Sequence, residues 1–220
     1  MSEPLPIFCF SDVLCVFAYA ANARFEQLHT DFGEQVRLTQ HFISVYGDVP
    51  RRFERMGKSG AEYGKDILDV AKRFDHIEVH PDVFRDSYPV SSMPAHLYLR
   101  AVKLLEDEGV IGATFVPMIW DVRVAFFRDL VDISKREHLD AIAERHGVPT
   151  GDVTRLLESG RAHAELDHDA RLQRDYDVQV SPSLVLNEGR QHLNGNVGYR
   201  VIEANVRELL HKPADEMSWC

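Results

Sequence analysis

Cysteine is scarce in this chain: three residues in 220, at positions 9, 15 and 220. None stands in a paired spacing, so disulfide bridges are not what holds the fold together. Basic charge is short as well. Twenty-five Lys and Arg face 35 Asp and Glu, for a formal net charge of -10. That balance argues against nucleic acid or an anionic membrane as a general partner, since either needs a basic face. No apolar run reaches the length of a transmembrane helix. The opening Met1–Pro6 lacks the basic start and apolar stretch of a secretory signal. Glycine-rich dinucleotide or phosphate loops are missing, as is a serine in nucleophile-elbow context. The expectation is a cytoplasmic protein with reduced thiols.

What is present is ordinary globular material, 45% hydrophobic and 27% charged, enough for one domain or one domain with a large insertion. Leu5–Phe10 is a short apolar run suited to a buried strand. From Cys15 to about His29, Val16, Tyr19, Ala20 and Ala23 recur at helical intervals, and Asp31-Phe32-Gly33 breaks the pattern. Gln35–Ser44 alternates like a strand. Strand, helix, strand is a βαβ opening and implies a parallel pair.

From Gly47 the signal is helical for well over a hundred residues. Tyr63, Ile67, Val70 and Phe74 mark one amphipathic helix, and Leu97, Ala101, Leu104 and Leu105 another. Phe115, Ile119, Val122 and Phe126 mark a third, with Thr114 as its expected cap. Ser134-Lys135-Arg136-Glu137 has capping-box form, and Gly147 is the expected stop. Further helices are expected from Thr150 or Asp152 and from about Gly160 to Asp175. Strand chemistry returns at Ser183–Leu186, with a turn at Asn187-Glu188-Gly189 and a returning strand over Arg190–Leu193. A last helix is expected over Asn196–Leu210, stopped by Lys212-Pro213.

Cys15 sits just after the first strand, where a helix begins. The positive end of the helix dipole favours thiolate there, so nucleophilic chemistry with a lowered thiol pKa is expected. Ala18 stands three residues on, where a dithiol motif would place its second cysteine. Cys9, between Phe8 and Phe10, reads as a buried structural thiol. His76 and His80 are spoiled as a helical pair by Pro81, and His163 and His168 find no third and fourth ligand at a recognisable spacing, so no metal site is expected. His41 fits the alternation of the second strand and carries no assigned role.

The order of these parts resembles the DsbA-like branch of the thioredoxin superfamily. That branch includes FrnE-type oxidoreductases, 2-hydroxychromene-2-carboxylate isomerases and kappa-class glutathione transferases. The resemblance rests on Ser11-Asp12 with Cys15, on Val180-Ser181-Pro182-Ser183 before the third strand, on Phe126–Gly147 and on Gly195 with the helix after it. It covers nearly the whole chain and implies an α/β thioredoxin-like fold with a large all-helical insertion. The thioredoxin-like part would span 1–46 and 177–212, the insertion 47–176 and a mobile tail 213–220.

The resemblance further implies a cis Pro182 beside Cys15, leaving the Ser181 N–H and C=O free to pair with a peptide or glutathione. Cys15 becomes the candidate catalytic residue in an open groove. Ser11, Asp12, Ser181 and Pro182 become candidates for binding substrate or glutathione, with Phe17 and Tyr19 either lining the substrate side or packing in the core. Cys220 is a possible resolving thiol. No tightly bound cofactor is implied; glutathione is the expected co-substrate, the substrate is a small molecule or thiol, and a homodimer fits the family. Three activities stay open: single-thiol disulfide exchange, glutathione-dependent isomerase or transferase chemistry, and binding without catalysis.

Overall fold

The computed structural model describes residues 3–86 and 88–211. Cys220 and the expected tail lie outside the described residues. Four strands form one sheet: β1 (Leu5–Ser11), β2 (Val36–Phe42), β3 (Ser183–Leu186) and β4 (Gln191–Asn194), in the order β2-β1-β3-β4. β1 runs parallel to β2, with Leu5 opposite Val36 and Ser11 opposite Phe42. It runs antiparallel to β3, where Cys9 faces Leu184, and β3 and β4 form the expected hairpin. The parallel pair needs a crossover, and α1 (Val16–Phe32) supplies it. Gly33 ends that helix at φ 50°, its N–H bonded to the His29 carbonyl, a backbone shape glycine adopts without penalty.

Between β2 and β3 the described residues fold into α2 (Val49–Met56), α3 (Gly60–Ala71), α4 (Met93–Asp107), α5 (Phe115–Phe127), α6 (Arg136–Arg145), α7 (Thr150–Glu158) and α8 (Arg161–Asp175). α9 (Tyr199–Leu210) closes the chain. The architecture is that of a thioredoxin-like α/β fold.

Local signals explain most of the helix ends, and correct three expectations. α2 was not expected. Asp48 caps it by accepting the Arg51 N–H at 3.0 Å, with Pro50 in its first turn. The Ser134–Glu137 capping box does not form: α6 starts at Arg136, and the Ser134 hydroxyl donates instead to Asp132 Oδ1 at 2.5 Å. The chain's described capping box is Ser59–Glu62, at the head of α3. Thr114 does not cap α5 with its side chain; the Glu106 carboxylate reaches over from α4 and accepts the Thr114 and Phe115 N–H groups at 2.6 and 2.8 Å.

α1 is buried on two sides, which is why its apolar residues do not form a single stripe. One side packs Ala21, Phe25 and Leu28 against Ile7 and Cys9 of β1 and Ile202 and Val206 of α9. The other carries Cys15, Val16 and Tyr19 into the largest apolar cluster, among Phe84, Phe126 and Phe127. Tyr19 stacks on Phe127 at 5.1 Å and is core, not substrate wall. A charged clamp ties the helical block to the sheet. Arg100 of α4 forks onto Asp169 of α8 with two 2.7 Å bonds. Asp169 also accepts the Phe42 N–H at 3.0 Å and faces His41 Nδ1 at 2.8 Å.

Candidate active site

The site forms where β1 ends, α1 begins and the loop before β3 passes both. β1 delivers Ser11 and Asp12 and then turns, the Cys15 N–H bonding the Asp12 carbonyl at 3.1 Å. Cys15 is the N-cap of α1, with extended backbone at φ -87° and ψ 114°. The Ser181–Pro182 peptide bond is cis, and Ser181 meets the site twice. Its hydroxyl accepts the Asp12 N–H at 3.0 Å, and its carbonyl accepts the Cys15 thiol at 3.2 Å. The structure thus brings Cys15, Asp12, Ser181 and Pro182 together across 166 or more residues of sequence.

Two expectations about the thiol are corrected. Cys15 does not stand in an open groove; it is 5% exposed, within the apolar cluster. Its pKa is raised, not lowered. Burial is the main cause and the Asp12 charge adds to it, while the Ser181 side chain and the Ala18 and Phe17 backbone N–H groups oppose it without prevailing. Desolvation outweighs the helix terminus because a thiolate in apolar packing loses its water. The Ser181 carbonyl, expected to face a ligand, is occupied by this thiol.

Asp12 is fully buried. Oδ1 accepts the Leu14 N–H at 2.9 Å, and Oδ2 accepts the Tyr46 N–H and the Ser92 hydroxyl, each at 2.8 Å. Burial, the largest influence, pushes its carboxyl up. The neighbouring His96 imidazole and the bonds from Leu14 and Tyr46 outweigh it and hold the pKa below the usual carboxylate range. His96 Nε2 lies 3.6 Å from Asp12 Oδ1 and accepts the Val13 N–H at 3.2 Å. Its other nitrogen, Nδ1, is buried with no hydrogen-bond partner among the described residues. The imidazole stacks on Phe42 at 4.6 Å.

Ser11 is buried too, and its hydroxyl accepts from Arg123 Nη2 at 2.9 Å. Ser11 and Asp12 therefore enter the site as internal supports, their side chains engaged by protein. Arg123 itself is 2% exposed, and its Nε finds no partner among the described residues. Burial pulls this guanidinium below the ordinary arginine value, while the charges available to Cys9, Cys15 and Asp12 oppose that. The Cys9 thiol is pushed up to about 12 by burial, against the pull of Arg123. The rim is apolar: Phe17 is 37% exposed and Val180 42%.

His96, Tyr46 and Arg123 were not singled out from the sequence. For Arg123 a signal existed: it lies four residues after Ile119 and eight after Phe115, on the apolar face of α5, where an unpartnered charge is out of place. Among the described residues no group of three or more His, Cys, Asp or Glu is arranged to hold a metal ion. No helix there is long and apolar enough to cross a membrane.

Comparison with known proteins gives a consistent result. The family model of the DSBA-like thioredoxin domain matches residues 7–207. A curated relative, the ClpXP adapter protein SpxH of Halalkalibacterium halodurans, is 24% identical over 217 residues, covering 94% of this chain and 68% of its own. A putative protein disulfide isomerase from Nitrosomonas europaea superposes with a TM-score of 0.74 at 14% identity, covering 98% of this chain and all of the other. A 2-hydroxychromene-2-carboxylate isomerase superposes with a TM-score of 0.65 at 18% identity, covering 97% of this chain and all of the other.

Proposed function

Because the chain belongs to the DSBA-like thioredoxin domain family, we propose that it is a single-thiol disulfide oxidoreductase acting through Cys15. The observation that carries this reading is the 3.2 Å contact between Cys15 Sγ and the Ser181 carbonyl at the head of α1. In the reaction the Cys15 thiolate attacks one sulfur of a disulfide, forming a mixed disulfide and expelling the other sulfur as a thiolate. Ala18 offers no second thiol, so an external thiol attacks the mixed disulfide and returns Cys15 to its reduced state. Each cycle therefore consumes one disulfide and one external thiol and yields one thiol and one new disulfide. Glutathione is the proposed co-substrate.

The raised pKa favours a second reading. A thiol that stays protonated at neutral pH can donate S–H to the sulfur of bound glutathione, as an isomerase or transferase requires. Similarity to the 2-hydroxychromene-2-carboxylate isomerase structure supports considering it. A third reading, binding without chemistry, is supported by the likeness to an adapter protein. Two assays on wild type, Cys15→Ser and Cys15→Ala separate the three: thiol exchange with a glutathione-capped peptide disulfide, and glutathione-dependent isomerisation. Under the exchange reading both variants lose all turnover. If Cys15→Ser turns over like wild type in a glutathione-dependent isomerisation assay, exchange is wrong. If wild type itself is inert in both assays while folded, catalysis is wrong.

A further inference from the structure

Outside the thiol site, a groove of about 360 Å³ opens between the loop after β2 and the first turns of α2. Its lining includes Ser44, Gly47 and Asp48 from the loop and Arg51, Arg52 and Arg55 from the helix. Three guanidinium groups on one eight-residue helix is an odd concentration in a chain of net charge -10. None of the three makes an ion pair among the described residues, although Lys58, just beyond the helix, pairs with Asp66. The Nε of Arg52 is buried and has no hydrogen-bond partner among the described residues.

Elementary electrostatics makes this arrangement unfavourable when empty. Arg51 and Arg52 fall in the first turn, where the helix dipole presents positive charge and disfavours cations. Arg55 stands four residues from Arg51 and three from Arg52, spacings at which like charges on a helix repel. The first turn carries no acidic residue of its own. The Asp48 carboxylate offsets part of the charge, but it is also engaged by the Arg51 N–H at 3.0 Å. Arg52 is held in place, its guanidinium 4.6 Å over the ring of Tyr46. An anion in the groove would relieve each of these penalties at once.

We propose that this groove is a binding site for a small polyanion, one carrying a phosphate or paired carboxylates. Guanidinium forks match the oxygens of both groups, two bonds to each. A volume of about 360 Å³ is at the small-molecule end of ligand pockets, which suits a metabolite-sized acid. The groove also touches the thiol site through one residue. Tyr46, between the lining residues Val45 and Gly47, supports Arg52 with its ring and donates its N–H to Asp12. A bound anion therefore lies one side chain away from the carboxylate that sits beside Cys15. The inference stands without the thiol chemistry, because binding requires no redox step.

The test uses the full chain, titrated with inorganic phosphate and with citrate at constant ionic strength, sodium chloride serving as the control salt. Binding is read by calorimetry and by the backbone amide shifts of residues 44–56. Saturable binding is expected, with shifts confined to that segment. The double variant Arg51→Gln/Arg55→Gln, both positions exposed, should weaken binding tenfold or more. Arg37→Gln/Arg73→Gln, an equal charge change elsewhere on the exposed surface, should leave it unchanged. Phosphate binding more tightly than citrate assigns a phosphoryl ligand, and the reverse assigns a carboxylate one. Shifts scattered over the surface, no saturation, or equal losses in the two double variants would overturn the proposal. Should the first variant unfold, the wild-type shift map alone decides between these outcomes.

Discussion

Asp12→Asn is the most revealing substitution in this molecule, because it should weaken the fold and make Cys15 more acidic together. Both carboxylate oxygens accept backbone N–H groups in a dry interior, from Leu14 at one and Tyr46 at the other. An asparagine keeps the shape but must present NH₂ to one of them. Ser92 can turn its hydroxyl to accept; a backbone N–H cannot. One buried N–H loses its acceptor, which costs about 1–3 kcal/mol, and the remaining bonds lose their ionic assistance. Together these suggest a loss of roughly 3–5 kcal/mol, the scale of breaking a buried charge arrangement.

The pH dependence follows from the lowered Asp12 pKa. A carboxyl whose folded pKa lies below its unfolded value of about 3.9 stabilises the fold above that pH. The contribution disappears as pH falls through the folded value. The stability gap between wild type and Asp12→Asn should thus be full at pH 7 and shrink below about pH 4. The Asp12 charge also raises the Cys15 pKa, so removing it should lower the pH at which the thiol ionises. Urea unfolding from pH 3 to pH 8 and thiolate absorbance near 240 nm measure the two effects. Equal stability of the two proteins at pH 7, or a thiol pKa that stays put or rises, would refute the reasoning.

Three further substitutions probe the surroundings. Arg123→Met removes the charge that opposes the rise at Cys9, so alkylation of Cys9 and Cys15 should both require higher pH; stability should change by less than about 1.5 kcal/mol, since a guanidinium with one hydrogen bond gives way to an apolar group of similar length. Gly64→Ala places a methyl group 2.1 Å from the Val83 carbonyl oxygen; that backbone contact should cost about 1–3 kcal/mol in urea denaturation, and an unchanged midpoint would show that α3 does not pack as described. Asp169→Asn breaks the fork from Arg100 and the contact to His41 and should cost about 3–5 kcal/mol, with amide exchange quickening first in β2 and α8.

Much of the frame was legible because it is written locally. The apolar run of β1, the period of α1 and the turn at Asn187–Gly189 each announce themselves within a dozen residues. The meeting of Cys15 with the Ser181–Pro182 turn was legible too, but only through resemblance to a family, because no local rule joins positions 166 residues apart. α2 escaped notice because Val49 and Phe53 are its only buried residues, too few to show a period. The supports of the site were hidden for a different reason. His96 and Tyr46 look like ordinary residues until a partner distant in sequence arrives to bury them, and Arg123 is marked only by its place on an apolar helix face. The same effect reversed the reading of the thiol: a helix terminus can be seen in sequence, but the apolar packing that overrides it cannot.

Oxidised glutathione offered to the folded protein over pH 6–10, with adducts located by mass spectrometry, asks the central question directly. The expected result is one glutathione on Cys15 and none on Cys9, forming faster as pH rises and absent from Cys15→Ala. A folded protein that takes up glutathione at no position, or at Cys9 before Cys15, would contradict the assignment of Cys15 as the reacting group.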